Sequence, residues 1–334
     1  MAGPPSAVAA VRLAVRKALA DLPAGERVLV AGSGGPDSTA LAAAAAFVAP
    51  RAGLSAGFAC ADQHWSEESG RLARAAVEAA EGLGLQPAVV LDAPAARNEG
   101  AARDARRSAL LALAEQQGAA AILLGHTLDD QAETVLLRLA RGSGARSLAA
   151  MAARDGIWRR PLLGLRRTVV HDSCAQAGLV TWDDPANVDP SFARSRVRAD
   201  VLPLLERALG PGIAESLARS AGLLRADADA LDALAAASFA DARALPGDFS
   251  VRSLDALASA IRSRVLRAAA LEAGCPPTDL NAAHIAALDA LVTAWKGQGP
   301  LSLPGGVKAE RHNGTLTLSA PTGDPKAKAR QMRV

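Results

Sequence analysis

Tyrosine is absent from this chain, aromatic residues make up 3% of it, and there are three cysteines. Each shortage excludes something. Cys60, Cys174 and Cys275 are far apart, odd in number and form no CxxC pair. That argues against a disulfide framework, a zinc knuckle and an iron–sulfur site, and leaves them as small buried hydrophobes in a reducing compartment. With so few aromatics, any stacking on a nucleobase falls to Trp65, Trp158, Trp182, or to histidine and arginine. Long apolar runs are missing too. Ala40–Val48 is far too short to span a bilayer, which takes about 20 residues, so no membrane partner is expected. Charge is nearly balanced, at +3 with a pI near 9.0, which permits a nucleic-acid partner without arguing for one. The N-terminus shows no signal-peptide pattern. Val8, Val11, Val15 and Leu19 alternate there with Arg12, Arg16 and Lys17, as in an amphipathic helix docked on a surface.

Half of the residues are hydrophobic, and alanine is very frequent, which favours helices. Short apolar runs at Val28–Ala31, Ser55–Ala61, Pro87–Leu91 and Ala119–Leu124 read as strands buried on both faces. Helical patterns fall between them at Asp37–Val48, Glu67–Leu83, Glu99–Gln117 and Asp129–Arg141. This alternation predicts an α/β fold, a doubly wound, mostly parallel sheet. Arg159–Arg167 and Val180–Pro190 read as connections. Beyond Gly212 the patterns at Ile213–Ala237, Leu254–Ala273 and Asp279–Trp295 are helical with no strand between them. Asn313-Gly314 then marks a hairpin. The expected organisation is an N-terminal helix (1–24), a nucleotide-binding α/β domain (25–210), a mainly helical domain closing in a hairpin (211–325), and a basic tail (326–334) carrying Lys326, Lys328, Arg330 and Arg333.

Ser33-Gly34-Gly35-Pro36-Asp37-Ser38 links the first strand to the first long helix. Glycines allow close backbone approach, and Pro36 suits the first helical position. The unpaired N–H groups of the helix end attract anions, and Ser33 and Ser38 add hydroxyls. No lysine follows, so this is not a Walker loop. A carboxylate beside phosphates needs a cation between them, which makes Asp37 a candidate ligand for Mg²⁺; otherwise it simply favours the helix start. SGGPDS resembles the signature of the PP-loop ATP pyrophosphatases, which cleave ATP between its α and β phosphates to activate a carbonyl oxygen as an adenylate.

A second stretch is Gly125-His126-Thr127-Leu128-Asp129-Asp130-Gln131-Ala132-Glu133-Thr134. Helical spacing lines up His126, Asp130 and Glu133, with Asp129 pointing away as a cap. Paired carboxylates there suit a metal, a base or a bound cation. A third, Asn98-Glu99 through Arg103 to Arg107, puts two arginines on one helix face. With Arg141-Gly142-Ser143-Gly144, Arg160-Pro161-Leu162-Leu163, Asp183–Asn187 and Phe192–Arg198, these stretches resemble the tRNA(Ile)-lysidine synthetase family over residues 25–210. The helical remainder fits that family's anticodon-side domain by position and length.

The resemblance implies a cytoplasmic enzyme. Its co-substrate is ATP with Mg²⁺, and its partners are L-lysine and tRNA(Ile) with a CAU anticodon. A homodimer is compatible with it. It implies that Ser33–Ser38 hold ATP, that Asp37, Arg103 and Glu133 are catalytic, and that Asp130 and Glu133 bind lysine. Asp62, His64, Gly125 and His126 would contact nucleotide, and Arg159, Arg160, Arg194, Arg196 and Arg198 would meet the tRNA backbone. Two departures stand out. The family's second strand ends in a VDHGL-like segment, and here Ala61-Asp62-Gln63-His64-Trp65 displaces the histidine by one position. Arg107 stands where an aromatic residue commonly follows. The rival readings are a PP-loop tRNA thiolase, disfavoured by the cysteines, and a non-catalytic ATP- or tRNA-binding module, disfavoured by an intact set of charged residues.

Overall fold

The computed structural model describes residues 3–64, 67–93, 99–182 and 189–320. The chain divides into two compact units, Met1–Arg225 and a second beginning at Ala226.

The first unit runs α1 (Ser6–Leu19), β1 (Arg27–Gly32), α2 (Pro36–Arg51), β2 (Ser55–Asp62), α3 (Glu67–Gly82), β3 (Ala88–Asp92), α4 (Glu99–Gln117), β4 (Ala119–Leu124), α5 (Leu128–Leu139) and α6 (Ala145–Leu148). It continues through β5 (Arg154–Asp155), β6 (Trp158–Arg159), α7 (Arg167–Gln176), α8 (Ala193–Arg196), a π-turn at Val197–Val201, α9 (Leu202–Leu209) and the start of α10 (Ile213–Ala242). The strands form one sheet in the order β3-β2-β1-β4-β6-β5, parallel except for β5. Val30 sits between Phe58 on β2 and Leu123 on β4.

The continuous apolar strands follow from this architecture. Val28, Val30 and Leu123 enter a core with residues of α1 and α2, while Leu29, Ile122 and Ala59 enter another with Leu110, Leu113 and Ala114 of α4. A strand covered on both faces has no solvent side, so it shows no alternation. On α1, Ala7, Val11, Val15 and Leu19 form the buried stripe, and the last three belong to the same core as β1 and α2. Burying each valine or leucine there contributes about 2 kcal/mol. The helix is therefore docked as part of the first unit. That unit also passes residue 210, because Ala214 and its neighbours Ile213 and Leu217 pack with Ala132, Val197 and Leu202.

The second unit takes the rest of α10 and adds β7 (Arg243–Leu245), β8 (Asp248–Ser250), α11 (Val251–Asp255), α12 (Ser259–Glu272), α13 (Ala282–Thr293), β9 (Leu301–Ser302), β10 (Lys308–His312) and β11 (Thr315–Ser319). Its sheet is antiparallel in the order β7-β8-β11-β10-β9. The Asn313-Gly314 hairpin is present, with both residues at positive φ (47° and 78°), as a type I′ turn requires. The expectation of no strand among the helices fails: β7 and β8 lie between α10 and α11. Each has three residues, too few to show a period of two. The basic tail and Asp183–Asn187 lie outside the described residues, as do Trp65 and Asn98.

Candidate active site

Strand β1 lies between β2 and β4, so the connections after β1 and β4 open a crevice at the strands' C-terminal ends. Open α/β sheets bind ligands at such a switch point. After β1 the chain turns through Gly34 (φ 78°) and enters α2 at Pro36, with Gly35 as N-cap and no side-chain cap. The first N–H groups of α2 therefore remain available to an anion. Ser38 is not a free donor: its Oγ accepts the Ser33 N–H at 3.1 Å and donates to the Gly35 carbonyl at 3.0 Å. Ser33 stays exposed. Gly125, after β4, explains how the two loops meet. A Cβ there would stand 3.2 Å from the Asp37 carbonyl carbon and oxygen and 3.3 Å from the Ser38 nitrogen. Only a glycine permits this approach without displacing the phosphate loop.

Helix α5 starts at Leu128 with Thr127 as N-cap, closed by a capping box. The Thr127 N–H and Oγ1 both donate to Asp130 Oδ2 at 2.8 Å. Two expectations change. His126 precedes the helix and so shares no helical face with Asp130 and Glu133. Asp129 is not the cap: it accepts the Arg167 N–H at 2.7 Å and meets Arg166 Nη2 at 3.3 Å. Asp130 and Glu133, three residues apart, still turn to the same side.

Glu133 is fully buried at 0% exposure and is gripped by arginines from three directions. Arg198 Nε donates to Oε1 at 2.8 Å, Arg194 Nε to Oε2 at 3.0 Å, and Arg167 Nη1 to Oε1 at 3.2 Å. Arg167 Nη2 also reaches Asp130 Oδ1 at 2.9 Å, and its Nε stands 3.8 Å from Asp37 Oδ2. His171 Nε2 lies 3.4 Å from Asp37 Oδ1. Burial pushes the Asp130 carboxyl up, but Arg167 and the Thr127 N–H outweigh it and hold the group below its ordinary range. Burial likewise opposes the charge on Arg167, yet Asp130 and Glu133 raise its affinity for the proton. His126 follows its burial and is pushed down to about 4, so it is neutral at pH 7. Asp37 Oδ1 and Arg167 Nε are buried without hydrogen-bond partners. Among the described residues no group of three or more His, Cys, Asp or Glu forms a metal cage. The orphaned Asp37 oxygen fits a single protein ligand to a cation whose other ligands are phosphate and water.

The remaining expected residues divide. His64 adopts φ 55°, donates its N–H to Asp62 Oδ1 at 2.9 Å, and places Nε2 2.6 Å from Asp92 Oδ1. That hydrogen bond raises its basicity, and the shifted histidine thus closes an Asp62–His64–Asp92 cluster at the strand ends. Arg103 is exposed on α4. Of the five arginines expected to meet tRNA, four are committed elsewhere. Arg159 (4% exposed) is bound to Asp21 and the Ala18 carbonyl, and Arg160 (5% exposed) to the Ala152 carbonyl. Arg194 and Arg198 hold Glu133, because a buried carboxylate needs compensating charge. Arg196 is exposed, though its Nη1 donates to the Pro190 and Ser191 carbonyls. Arg166, Arg167 and His171 were not foreseen. Their only signal was an arginine-rich connection, since Arg167 reaches Glu133 across 34 residues and His171 reaches Asp37 from still farther along the chain, and such contacts leave no spacing pattern.

A glycine-rich turn feeding an uncapped helix at the switch point of a mostly parallel sheet is the geometry of a nucleotide-binding α/β protein. Residues 9–205 match the PP-loop domain family, and residues 249–317 match the TilS substrate binding domain. The chain is 54% identical to the tRNA(Ile)-lysidine synthase of Thermobifida fusca over 96% of its length and 100% of that protein. It is 47% identical to that of Streptomyces coelicolor, over 95% and 99% of the two chains, and 45% identical to that of Mycobacterium tuberculosis, over 92% and 94%. Among solved structures it resembles the U34-tRNA thiolase NcsA from Methanococcus maripaludis, which carries a 4Fe-4S cluster. The TM-score is 0.54 at 22% identity, over 65% of this chain and 78% of that one, a likeness of fold alone. The chain belongs to the tRNA(Ile)-lysidine synthase family.

Proposed function

We propose that this protein joins free L-lysine to C2 of the wobble cytidine in tRNA(Ile) with a CAU anticodon, at the expense of ATP. In the first step the C2 oxygen attacks the α-phosphorus of ATP, and the bond to pyrophosphate breaks. In the second the lysine ε-amine adds at C2, loses a proton, and the C2–oxygen bond breaks as AMP leaves. The product is lysidine.

The loop Ser33–Gly35 and the N-terminal turn of α2 bind the phosphates through backbone N–H groups. Asp37 would hold Mg²⁺, which supplies charge neutralisation to the departing pyrophosphate. Arg103 offsets charge that develops at the adenylated oxygen. Asp130 faces the lysine cation, Glu133 behind it fixes Arg167, Arg194 and Arg198, and a substrate phosphate takes the ε-ammonium proton, because an ammonium is no nucleophile. Arg167 joins the two halves, since it faces Asp37 at one end and the Asp130–Glu133 pair at the other. Its guanidinium compensates both carboxylates until the lysine cation arrives. Asp62, His64 and His126 line the nucleotide side.

The observation that carries this reading is the meeting of the SGGPDS loop and the Asp130–Glu133 pair at one switch point, brought together at Gly125. No helix among the described residues is long and apolar enough to cross a membrane. The reading includes a cytoplasmic location and is compatible with a homodimer.

The test is incorporation of labelled lysine into an unmodified CAU-anticodon transcript with ATP and Mg²⁺, by wild type and Asp130→Ala. Incorporation lost in the variant is the expected result. Pyrophosphate release that needs tRNA but leads to no lysine incorporation would reject lysine as the nucleophile. Neither signal from folded protein would leave only a binding module.

A further inference from the structure

Arg138 of α5, Arg160 just after β6 and Arg225 of α10 converge on one short segment, and Arg107 of α4 acts on Arg160 from beside it. Arg138 Nη1 donates to the Ser147 carbonyl at 2.5 Å. Arg225 Nη2 donates to the Ala149 and Ala150 carbonyls at 2.7 Å each, and Arg160 Nη1 to Ala152 at 2.8 Å. Gln131 closes the set by exchanging two hydrogen bonds with Met151, both 2.9 Å. Ala150 takes a positive φ of 50° within this run. Arg107 lies over the Trp158 ring at 4.3 Å.

The partners matter. Around Glu133 the arginines meet carboxylates and their charge is discharged. Here, among the described residues, they meet backbone carbonyls and an indole ring, which orient a guanidinium without neutralising it. The charges acting on Arg138 are Arg103, Arg225 and Arg194, all cations. On Arg160 one acid, Asp155, is set against Arg107, Arg103 and Arg225. After burial, these neighbours hold both guanidiniums below their ordinary range. Arg107, Arg138 and Arg225 remain partly exposed, with Arg160 buried behind them. A fixed group of like charges, oriented by neutral partners and open to solvent, is stabilised by an arriving polyanion.

We infer that Arg107, Arg138 and Arg225 form a docking surface for the phosphate backbone of the RNA substrate. This rests on the tRNA reading above for the identity of the RNA. It adds three residues to Arg196, which is likewise exposed and, among the described residues, held by backbone carbonyls alone.

The experiment measures binding of the CAU-anticodon transcript across a salt series, apart from turnover, for wild type, Arg107→Gln, Arg225→Gln and Arg225→Lys, with folding followed by circular dichroism. Each glutamine variant should weaken binding about fivefold near 0.15 M salt and make the log–log salt slope shallower by about one. Arg225→Lys keeps the charge and should bind within about twofold of wild type. An unchanged slope in folded glutamine variants overturns the proposal. So does equal weakening by Arg225→Lys, which would reduce Arg225 to a brace for Ser147–Ala152. So does a raised KM for ATP with unaltered RNA binding, which would make the anion a nucleotide. Wild type that binds the transcript with this salt dependence but incorporates no lysine supports the surface and defeats the proposed function.

Discussion

Glu133 concentrates the electrostatics of the candidate site in one residue. It is fully buried, and Arg167, Arg194 and Arg198 all depend on its charge. Glu133→Gln keeps the shape and removes the anion, leaving guanidiniums without compensation. Because Arg194 and Arg198 are partly exposed, the cost falls at the low end for a broken buried pair, about 3 kcal/mol. The urea midpoint should drop accordingly, and lysine incorporation should cease. An unchanged midpoint would show that water already screens the cluster. His126 gives a second residue-level test. Its folded-state pKa is about 4 against 6.5 for the free side chain, so between those values the unfolded chain binds a proton that the folded one refuses. Stability is full above pH 6.5 and falls by about 3 kcal/mol as pH drops through that window. Unfolding free energies measured from pH 7 to 4 should show this loss, and His126→Gln should flatten it by one proton. The same slope in the variant would assign the protons elsewhere. At this scale the sequence exposed the acids and hid their partners. SGGPDS and DDQAE lie within single short stretches, whereas Arg167, Arg194 and Arg198 reach Glu133 across 34 to 65 residues.

The start of α5 ties a helix cap to a carboxylate of the proposed lysine site. Thr127 caps the helix, and its N–H and hydroxyl fix Asp130 Oδ2. Thr127→Ala should cost about 1–2 kcal/mol of stability. Because it also frees the Asp130 carboxylate, the KM for lysine should rise while tRNA-dependent pyrophosphate release persists. Thr127→Ser should restore both. A KM unmoved by the alanine would confine Thr127 to capping. The π-turn at Val197–Val201 begins as α8 ends, so Arg194 and Arg198, four residues apart, flank that junction and still close on the same carboxylate. The four long strands and the helices between them were readable because two-sided burial leaves compact apolar runs. The elements β5 to β8, of two or three residues each, were not. So few residues cannot display a period, and hydrogen bonding to neighbours determines them instead.

Across the whole molecule, fold and chemistry come apart. The fold is shared with a thiolase that carries a 4Fe-4S cluster, yet fold does not transfer function. Here the three cysteines are free and buried. Burial pushes the thiols of Cys60 and Cys174 up to about 11, so neither is a ready thiolate for sulfur transfer or iron. Cys60 lies on β2 and Cys174 on α7, while Cys275 belongs to the core of the second unit. The doubly wound class was legible in the alternation of strands and helices. The sheet order was not, and that order is what sets the β1 and β4 loops side by side. Reconstitution with iron and sulfide should therefore yield no cluster absorption band. Cys60→Ala/Cys275→Ala should fold and incorporate lysine as wild type does, since both thiols are packed in hydrophobic cores. Cys174, whose thiol donates to the Pro36 carbonyl at 3.3 Å, is the informative exception. Cys174→Ala should raise the KM for ATP modestly by loosening the first turn of α2, without abolishing turnover. A cluster band, or sulfur in the tRNA product, would move this chain to the chemistry of its structural neighbour, whereas cysteine-independent lysine incorporation separates the two enzymes on one scaffold.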